Sequence, residues 1–189
     1  MAKTMYKSTE TPAFEVERSD GPIQIRRYGP RIVAEVSVEG SRSAAIGIGF
    51  QILAGFIFGG NQSKAKVAMT SPVVQRPQTI AMTSAVAQRG SDGAWVVQFT
   101  MPSDQTLETL PRPNDARIRL VAVPGIRQVA VQFSGLAGAE ALARNEAILR
   151  DWAKANNVTL QGGPICQFYD APFTLPWNRR NEIAFDIAP

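Results

Sequence analysis

The sequence RIVAEVSVEG at residues 31–40 has a counterpart in RQVAVQFSG at residues 127–135. Residues 31–38 alternate well enough between apolar and polar side chains to predict a β-strand, and residues 128–133 are the corresponding predicted strand. Each stretch leads into a helical segment and then into further strand-like segments. We interpret the chain as two copies of a strand-helix-strand-strand unit. Short connections between such units favour antiparallel pairing, with the helices packed on the sheet or flanking a barrel, so the predicted fold class is α+β.

A predicted β-hairpin precedes the first copy. Asp20-Gly21 separates the strand-like residues 14–19 from residues 23–27, and Asp-Gly supplies the positive φ that a tight turn requires. No linker-like or low-complexity stretch divides the rest of the chain. We therefore expect an N-terminal tail at residues 1–12 and a single domain at residues 13–189. The other predicted strands are 95–101, 117–123, 128–133, 165–170 and 182–187.

The two predicted helices differ in how their apolar residues are arranged. The second, residues 139–156, has one apolar side and is typical of a surface helix. The first, residues 44–58, is apolar all round and is shorter than the roughly 20 residues of a membrane-spanning helix. Such a helix must be covered, either by loops of its own chain, by a flat apolar ligand or by a partner chain. Its predicted sheet-facing stripe is Ile46, Phe50, Leu53 and Ile57, and its predicted outward stripe is Ile48, Ile52 and Phe56.

A second, shorter repeat lies between the helices. Residues 67–73 read VAMTSPV and residues 80–86 read IAMTSAV. Strand alternation predicts a hairpin in which Met69 and Met82 lie diagonally on one apolar face. The simpler interpretation is that both methionines fill the core, and the alternative is that their thioethers bind a metal or haem iron.

Composition excludes several functional classes. The 189 residues include no histidine and one cysteine, Cys166. Zinc sites of Cys and His, c-type haem attachment, Ser-His-Asp triads and internal disulfides are therefore excluded. Twenty Lys and Arg against sixteen Asp and Glu give a mild positive charge without the concentrated basic block of a nucleic-acid-binding protein. The N-terminus has no apolar export segment, so we expect a cytoplasmic protein unless a signal peptide has been removed.

Six separated motifs, spread over residues 13–187, point to one protein family. They are IRRYGPRIVAEV at 25–36, the segment 49–61, AMTSPV at 68–73, FTMPS at 99–103, LETLP at 107–111 and PWNRRNE at 176–182. Together they resemble the SOUL haem-binding protein family. The resemblance implies a distorted antiparallel β-barrel flanked by two α-helices and built from a pseudo-twofold repeat, in agreement with the duplication above.

The resemblance also implies non-covalent binding of haem or another tetrapyrrole in a shallow groove. The groove would lie between the first helix and the loop before the last strand. Basic residues at its rim would pair with the propionates of the ring. On this chain the implied groove walls are Ile48, Ile52, Phe56, Phe173, Leu175, Pro176 and Trp177, and the implied rim residues are Lys64, Lys66, Arg179 and Arg180.

Axial ligation is where this sequence departs from the family pattern, because some members are thought to bind iron through a histidine. Either apolar contact and propionate pairing hold the ring, which we favour, or a weak axial ligand replaces the histidine. The candidate ligands are a methionine, Tyr28, Tyr169, Cys166 or a lysine.

Other functions stay open alongside tetrapyrrole binding. A domain that sequesters another hydrophobic small molecule, like the gyrase-inhibitor-like domains of similar fold, would have its pocket between the two halves. A hydrolytic enzyme would need a buried carboxylate of raised pKa, for which Glu35, Glu108 and Glu182 are the candidates. The exposed stripe of the first helix could instead form a homodimer or bind another protein.

Overall fold

The computed structural model describes residues 4–77, 93–171 and 173–188 of the chain. These ranges contain two α-helices, a short 3-10 turn at Pro176–Asn178 and β-strands throughout. The helices are α1 (Arg42–Ile57) and α2 (Ala139–Ala155). The strands are β1 (Met5–Tyr6), β2 (Thr9–Glu10), β3 (Phe14–Asp20), β4 (Ile23–Tyr28), β5 (Arg31–Gly40), β6 (Val73–Pro77), β7 (Gly93–Thr100), β8 (Arg119–Val123), β9 (Ile126–Phe133), β10 (Leu160–Phe168) and β11 (Asn181–Ile187).

Nine of the described strands form one antiparallel sheet, in the order β3-β4-β9-β11-β10-β6-β7-β5-β8. The first copy of the repeat is β5-α1-β6-β7 and the second is β9-α2-β10-β11. In each copy the first strand pairs with the third, and the second strands, β6 and β10, pair at the centre of the sheet. The predicted α+β class with two helices is confirmed, and the topology matches the predicted duplication. Closure of the sheet into a barrel stays a prediction.

The two halves exchange their outer strands. β4 precedes the first copy in the sequence but pairs with β9 of the second, and β8 precedes the second copy but pairs with β5 of the first. The connections that allow this exchange are the short turns at residues 29–30 and 124–125. The turns approach closely, because a Cβ on Gly125 would lie 3.0 Å from the Tyr28 carbonyl oxygen. Each half of the sheet is therefore completed by the other.

Each helix covers one half of the sheet. α1 packs on β5 and β7, and α2 packs on β9, β10 and β11. Leu53 and Ile57 of α1 are buried with Val97 and Phe99 in the first half, and Leu149 of α2 is buried in the second. Val73, which belongs to the first cluster, pairs with Phe168, which packs on the second. Since paired residues share a face, both helices lie on the same side of the sheet.

The predicted outward stripe of α1 is wrong for Phe56. Phe56 is 1% exposed and belongs to the core of the first half, while Ile52 is half-buried and Ile48 is 45% exposed. The reason is helical geometry: Phe56 lies three residues after Leu53, so both point towards the sheet. A helix that is apolar on every side gives no sequence signal for which side is buried. Neither described helix is long and apolar enough to cross a membrane.

The predicted hairpin of the AMTS repeat is only partly testable. Its second run, residues 80–86, lies outside the described residues. In the first run the strand prediction is wrong, because residues 67–72 form no strand and β6 begins at Val73. The Thr70 hydroxyl donates to the Thr100 carbonyl, and the Ser71 amide donates to the Glu10 carbonyl. These contacts tie the segment to the ends of β7 and β2 in place of a paired strand.

Two glycines of α1 allow a matched test of its packing. A Cβ at Gly49 would lie 2.5 Å from Val97 Cγ2, whereas a Cβ at Gly47 would meet no atom within 4 Å. We expect Gly49→Ala to lower the free energy of unfolding by about 1–3 kcal/mol through overpacking. Gly47→Ala should raise it by up to about 1 kcal/mol, because alanine is the better helix former. Urea unfolding followed by circular dichroism measures both, and equal effects of the two substitutions would contradict this packing.

Candidate functional site

The end of α1 and the loop between β10 and β11 lie at the same end of the sheet. α1 runs back along the sheet after β5: its first residue, Arg42, contacts Gln75, and the Ile57 carbonyl accepts a hydrogen bond from the Val67 amide just before β6. β10 ends at the start of β6, because Phe168 pairs with Val73. The two regions that were predicted to wall a groove are thus brought to one end of the fold.

The loop before β11 exposes a cluster of apolar side chains, which we call the apical patch: Phe173, Leu175 and Trp177. Phe173 is 90% exposed and Trp177 is 69% exposed, and Leu175 is also exposed. Pro176 is half-buried beneath them, where its carbonyl accepts a hydrogen bond from the Gly135 amide. Large apolar side chains that are exposed together mark an interaction surface more often than single ones do.

A basic loop follows α1. Lys64 and Lys66 are both exposed in this loop, as the predicted rim requires. Buried Asn61 holds the loop, because its Nδ2 donates to the carbonyls of Phe56 and Ala65 and its Oδ1 accepts from the Ala65 amide. At the start of the same loop Phe58 is exposed, which the sequence analysis missed. The sequence could have indicated this exposure, because Phe58 is the last residue before Gly59-Gly60, which ends the helix.

The two predicted rim arginines are engaged within the protein. Arg179 Nε donates to the Thr174 carbonyl at 2.7 Å, which links the two sides of the loop. Arg180 Nη2 and Nε both donate to Glu182 Oε1, at 2.7 and 2.9 Å, and its guanidinium stacks 4.1 Å from the Tyr169 ring centroid. Both residues lie beside the apical patch in sequence, but their guanidiniums fix the loop to the sheet.

Glu182 is the centre of a buried polar network beneath the loop. Its side chain is fully buried, and Arg26 of β4 donates to both of its carboxylate oxygens, at 2.7 and 3.0 Å. Tyr169 Oη and Arg180 also donate to it. Burial raises the pKa of Tyr169 well above its ordinary value, and the charge of Glu182 adds to this effect. The network was not predictable from the sequence because Arg26 and Glu182 are 156 residues apart.

The three candidate catalytic carboxylates have different surroundings. Glu182 is surrounded by donors as described. Glu35 accepts hydrogen bonds from Gln98 Nε2 at 2.7 Å and Arg119 Nη2 at 2.6 Å. Glu108 is exposed, and a hydrogen bond from the Thr106 side chain lowers its pKa below the ordinary value. None of the three carboxylates is a buried acid that lies at the apical patch without a hydrogen-bond partner.

The N-terminal residues clamp the loop at its base. Residues 5–10, predicted as part of a tail, form the hairpin β1–β2. Lys7 forms an ion pair with Asp170 at the start of the loop and donates to the Asn178 carbonyl, 3.0 Å away, near its end. Tyr6 Oη donates to Asp170 at 3.1 Å, and its ring packs edge-on against Tyr169. This hairpin therefore holds the two ends of the loop together below the apical patch.

Most of the candidate axial ligands are buried away from the apical patch. Tyr28 and Cys166 are buried, and burial raises the pKa of the Cys166 thiol to about 11, so that the thiolate is scarce at neutral pH. Tyr169 Oη is hydrogen-bonded to Glu182. Met69 is exposed and lies between the end of α1 and β6. Within the described residues no cluster of Cys, Asp and Glu could hold a metal ion on its own. The residues present fit the apolar faces and the acid groups of a tetrapyrrole better than its iron.

Comparison with known proteins identifies the family. Residues 9–186 match the model of the family described as "SOUL heme-binding protein". The chain belongs to the SOUL heme-binding protein family. Among the proteins similar to this chain is "Heme-binding protein 2" of Homo sapiens, 28% identical over an alignment of 191 residues, which covers 94% of this chain and 85% of that protein. "Heme-binding protein 2" of Mus musculus is 26% identical over 177 residues, covering 89% of this chain and 80% of the mouse protein.

Solved structures extend the likeness in fold beyond the SOUL family. The EcmrR C-terminal domain superposes with a TM-score of 0.63 at 14% identity, covering 88% of this chain and 96% of that chain. A structure titled as a hydrolase from Listeria innocua has a TM-score of 0.60 at 11% identity, covering 91% of this chain and 94% of that chain. At these identities the likeness concerns the fold alone.

Breaking the buried ion pair of this SOUL-family chain should destabilise the fold strongly. Glu182→Gln leaves Arg26 charged and without a counter-ion in the interior, so we expect the free energy of unfolding to fall by about 3–5 kcal/mol. The control is Glu17→Gln, since Glu17 pairs with Arg27 and Arg127 at the surface and its substitution should lower stability much less. Urea unfolding measures both substitutions, and a Glu182→Gln variant as stable as Glu17→Gln would contradict this role.

The clamp on the loop should depend on pH. Burial alone would raise the pKa of Asp170, but hydrogen bonds from Lys7, the Arg180 amide and Tyr6 outweigh it and lower the pKa below the ordinary value. A lowered pKa means that the clamp stabilises the fold fully above about pH 4 and loses its effect as the pH falls further.

Hydrogen exchange of the backbone amides tests the clamp. We expect Lys7→Met to speed exchange at residues 173–180 at neutral pH relative to the parent protein, while Lys154→Met on α2 should leave it unchanged. The difference between Lys7→Met and the parent should shrink below about pH 4, because Asp170 then loses its charge in both proteins. A Lys7→Met variant with parental exchange at neutral pH would show that the hairpin does not hold the loop.

Proposed function

We propose that this chain binds haem or a related tetrapyrrole non-covalently, as a carrier or buffer, at the end of the sheet formed by the apical patch and the C-terminal part of α1. Family membership supports the ligand class. The observation that carries the location is the apical patch itself, where the aromatic side chains of Phe173 and Trp177 are 90% and 69% exposed to solvent. Exposure of aromatic side chains of this size to water is unfavourable, and a bound flat apolar ring would remove them from water.

The walls of the proposed groove differ from the sequence-based set. The Phe56 side chain is buried on the side of α1 that faces the sheet, so it would support the groove from inside the protein. Ile52 is half-buried, and Ile48 is exposed but lies nine residues before the end of α1, about 13 Å along the helix axis. Phe58 is exposed at the end of α1 itself. We therefore propose Phe58 and Ile52 as the α1 side of the groove, opposite Phe173, Leu175 and Trp177.

The acid groups of the ligand would pair with the basic loop. Lys64 and Lys66 are exposed next to Phe58 in sequence and have room to approach a propionate. Arg179 and Arg180 would act indirectly, because their hydrogen bonds to Thr174 and Glu182 hold the loop that carries the patch. Exposed ion pairs of this kind contribute less than about 1 kcal/mol each, so apolar contact should supply most of the affinity.

Two alternatives from the sequence are less well supported. A domain that sequesters another hydrophobic small molecule would have its pocket between the two halves, and the cavity in that position is lined by Glu35, Arg76, Arg119 and Asp186, so an uncharged molecule fits it poorly. A homodimer through α1 would have to cover Ile48 and Phe58, the exposed apolar residues at either end of its outer side. The dimer stays a prediction, and its formation would compete with the ligand for Phe58.

The first experiment locates the ligand. Phe173→Ser together with Trp177→Ser removes the exposed aromatic surface, and we expect the dissociation constant for haemin, measured by absorbance titration, to rise at least about tenfold, or 1.4 kcal/mol. The control is Ile148→Ser, which removes an exposed apolar side chain from α2. Circular dichroism should show that all variants are folded. Parental binding by the double variant would place the ligand elsewhere.

The second experiment tests how the ring is held. With no histidine in the chain, iron should add little, so protoporphyrin without metal should bind within about tenfold of haemin. A haemin affinity about a hundredfold higher, equivalent to 2.7 kcal/mol, would demonstrate an axial ligand and contradict binding by apolar contact. Met69→Leu would then identify that ligand if it abolished the difference between haemin and protoporphyrin.

A further inference from the structure

The side of the sheet opposite the helices is lined with polar residues. Strand alternation places Arg26, Glu182 and Asp186 on this side, whereas their neighbours Ile25, Ile183 and Phe185 face α2. In the first half the same alternation places Glu35 and Arg76 on this side. We call this side the inner cleft. A surface of this kind, with charged groups that are largely buried, is unusual unless each charge has a partner.

Two neighbouring cavities lie in the inner cleft. The first has a volume of about 780 Å³, and its walls include Phe14, Tyr28, Gly29 and Ile126. The second has a volume of about 320 Å³, and its walls include Glu35, Arg76 and Arg119. Gln161 and Asp186 line both cavities, so the two are adjacent at these residues. No residue of the apical patch lines either cavity. The volume of the first cavity by itself is within the range of small-molecule pockets.

The charges of the second cavity are unequally paired. Glu35 is neutralised by Arg119 at 2.6 Å. Asp186 accepts a hydrogen bond from Gln128 Nε2 at 2.8 Å. Arg76 is half-buried and makes no hydrogen bond or ion pair with another residue among those that the structure describes. Apart from the Glu35–Arg119 pair, the cavity wall contains the carboxylate of Asp186 and the guanidinium of Arg76, and the described residues give the guanidinium no acceptor.

Arg31 adds a second unsatisfied guanidinium behind this wall. Its Nη1 is buried and has no hydrogen-bond partner within the described part of the chain, while its Cζ lies 5.3 Å from the centroid of the Tyr28 ring. Burial is the main cause that lowers the pKa of Arg31, Arg76 lowers it further, and Tyr28 and Asp186 raise it. Buried donors without an acceptor are rare in native proteins and usually meet a water or an ion. The guanidiniums of Arg31 and Arg76 and the single carboxylate of Asp186 together give this part of the cleft a net positive charge.

We propose that the inner cleft binds a small organic anion, with its acid group against Arg76 at the wall of the second cavity and its apolar body in the larger cavity against Tyr28 and Ile126. A carboxylate or sulfonate would accept charge-assisted hydrogen bonds from Arg76, and the buried charge of Arg31 behind the wall would favour the anion further. The apolar part of the larger cavity would cover the rest of the molecule, beside Glu15, Arg27 and Arg127, which also line it. This site is separate from the proposed tetrapyrrole groove and does not depend on it.

The experiment compares two fluorescent probes of nearly equal apolar body. 8-Anilinonaphthalene-1-sulfonate carries an acid group, and N-phenyl-1-naphthylamine lacks it. We expect saturable sulfonate binding to the folded parent protein, at least about tenfold tighter than binding of the neutral amine, because only the sulfonate reaches the guanidiniums. Binding should persist in the presence of haemin and in the Phe173→Ser, Trp177→Ser variant.

Three variants assign the binding to the cleft. Arg76→Gln should weaken sulfonate binding about tenfold and leave the neutral amine unchanged, while Arg144→Gln on the exposed side of α2 is the matched control. Gly29→Leu should weaken both probes, because a Cβ at this cavity-lining residue would meet no protein atom within 4 Å and we expect the rest of the added side chain to take up cavity space. Circular dichroism verifies that each variant is folded. Arg76 is substituted in preference to Arg31 because it is only half-buried, at the cavity wall.

The outcomes separate the proposal from its competitors. Loss of sulfonate binding in Arg76→Gln but not in Arg144→Gln supports an anion site in the cleft. Equal binding by Arg76→Gln and the parent would overturn it, and would leave Arg31 bonded to water alone. Displacement by haemin, or loss of binding in the Phe173→Ser, Trp177→Ser variant, would overturn it as well, because the probe would then lie on the apical patch.

Discussion

The carboxylate of Glu182 is the point at which the separate parts of this fold meet. Arg26, which bonds to it, comes from the strand that the first half donates to the second, and Arg180 comes from the loop that carries the apical patch. Tyr169, at the other end of that loop, bonds to it too. A fully buried carboxylate is tolerated only when donors surround it, so strand exchange and loop position are coupled through one charge. The N-terminal hairpin then adds a second, exposed clamp through Lys7 and Asp170.

The general fold could be predicted from the sequence because its signals are local. Alternation in residues 31–40 and 127–135, the Asp20-Gly21 turn and the amphipathic pattern of α2 all depend on neighbours in the chain. Phe173 and Trp177 were implied as groove residues by the resemblance to the SOUL family and not by a local pattern, and both are exposed. Duplication also predicted that two similar halves would pair within one sheet, as they do.

The parts that could not be predicted depend on distant partners. α1 is apolar on all sides, so the burial of Phe56 follows from the position of β5 and β7 and not from the helix sequence. The family resemblance implied Arg180 as a rim residue, but a buried acid on the next strand takes its guanidinium. Nothing in the sequence indicated that Arg26 would be buried or that a nitrogen of Arg31 would lack a partner in the described part of the chain, because both environments depend on strands that are distant in sequence.

The exchange of outer strands has a consequence during synthesis of the chain. β4 and β5 leave the ribosome early, but their partners β9 and β8 are encoded about a hundred residues later, so both strands keep an open edge until most of the chain has emerged. Open edges of apolar strands promote aggregation, and pairings of such long sequence separation form slowly. A truncated or stalled chain that ends before residue 119 would contain a complete α1 and β7 yet leave β5 open on one side. Translation speed and chaperone access during that interval should therefore affect the yield of this protein.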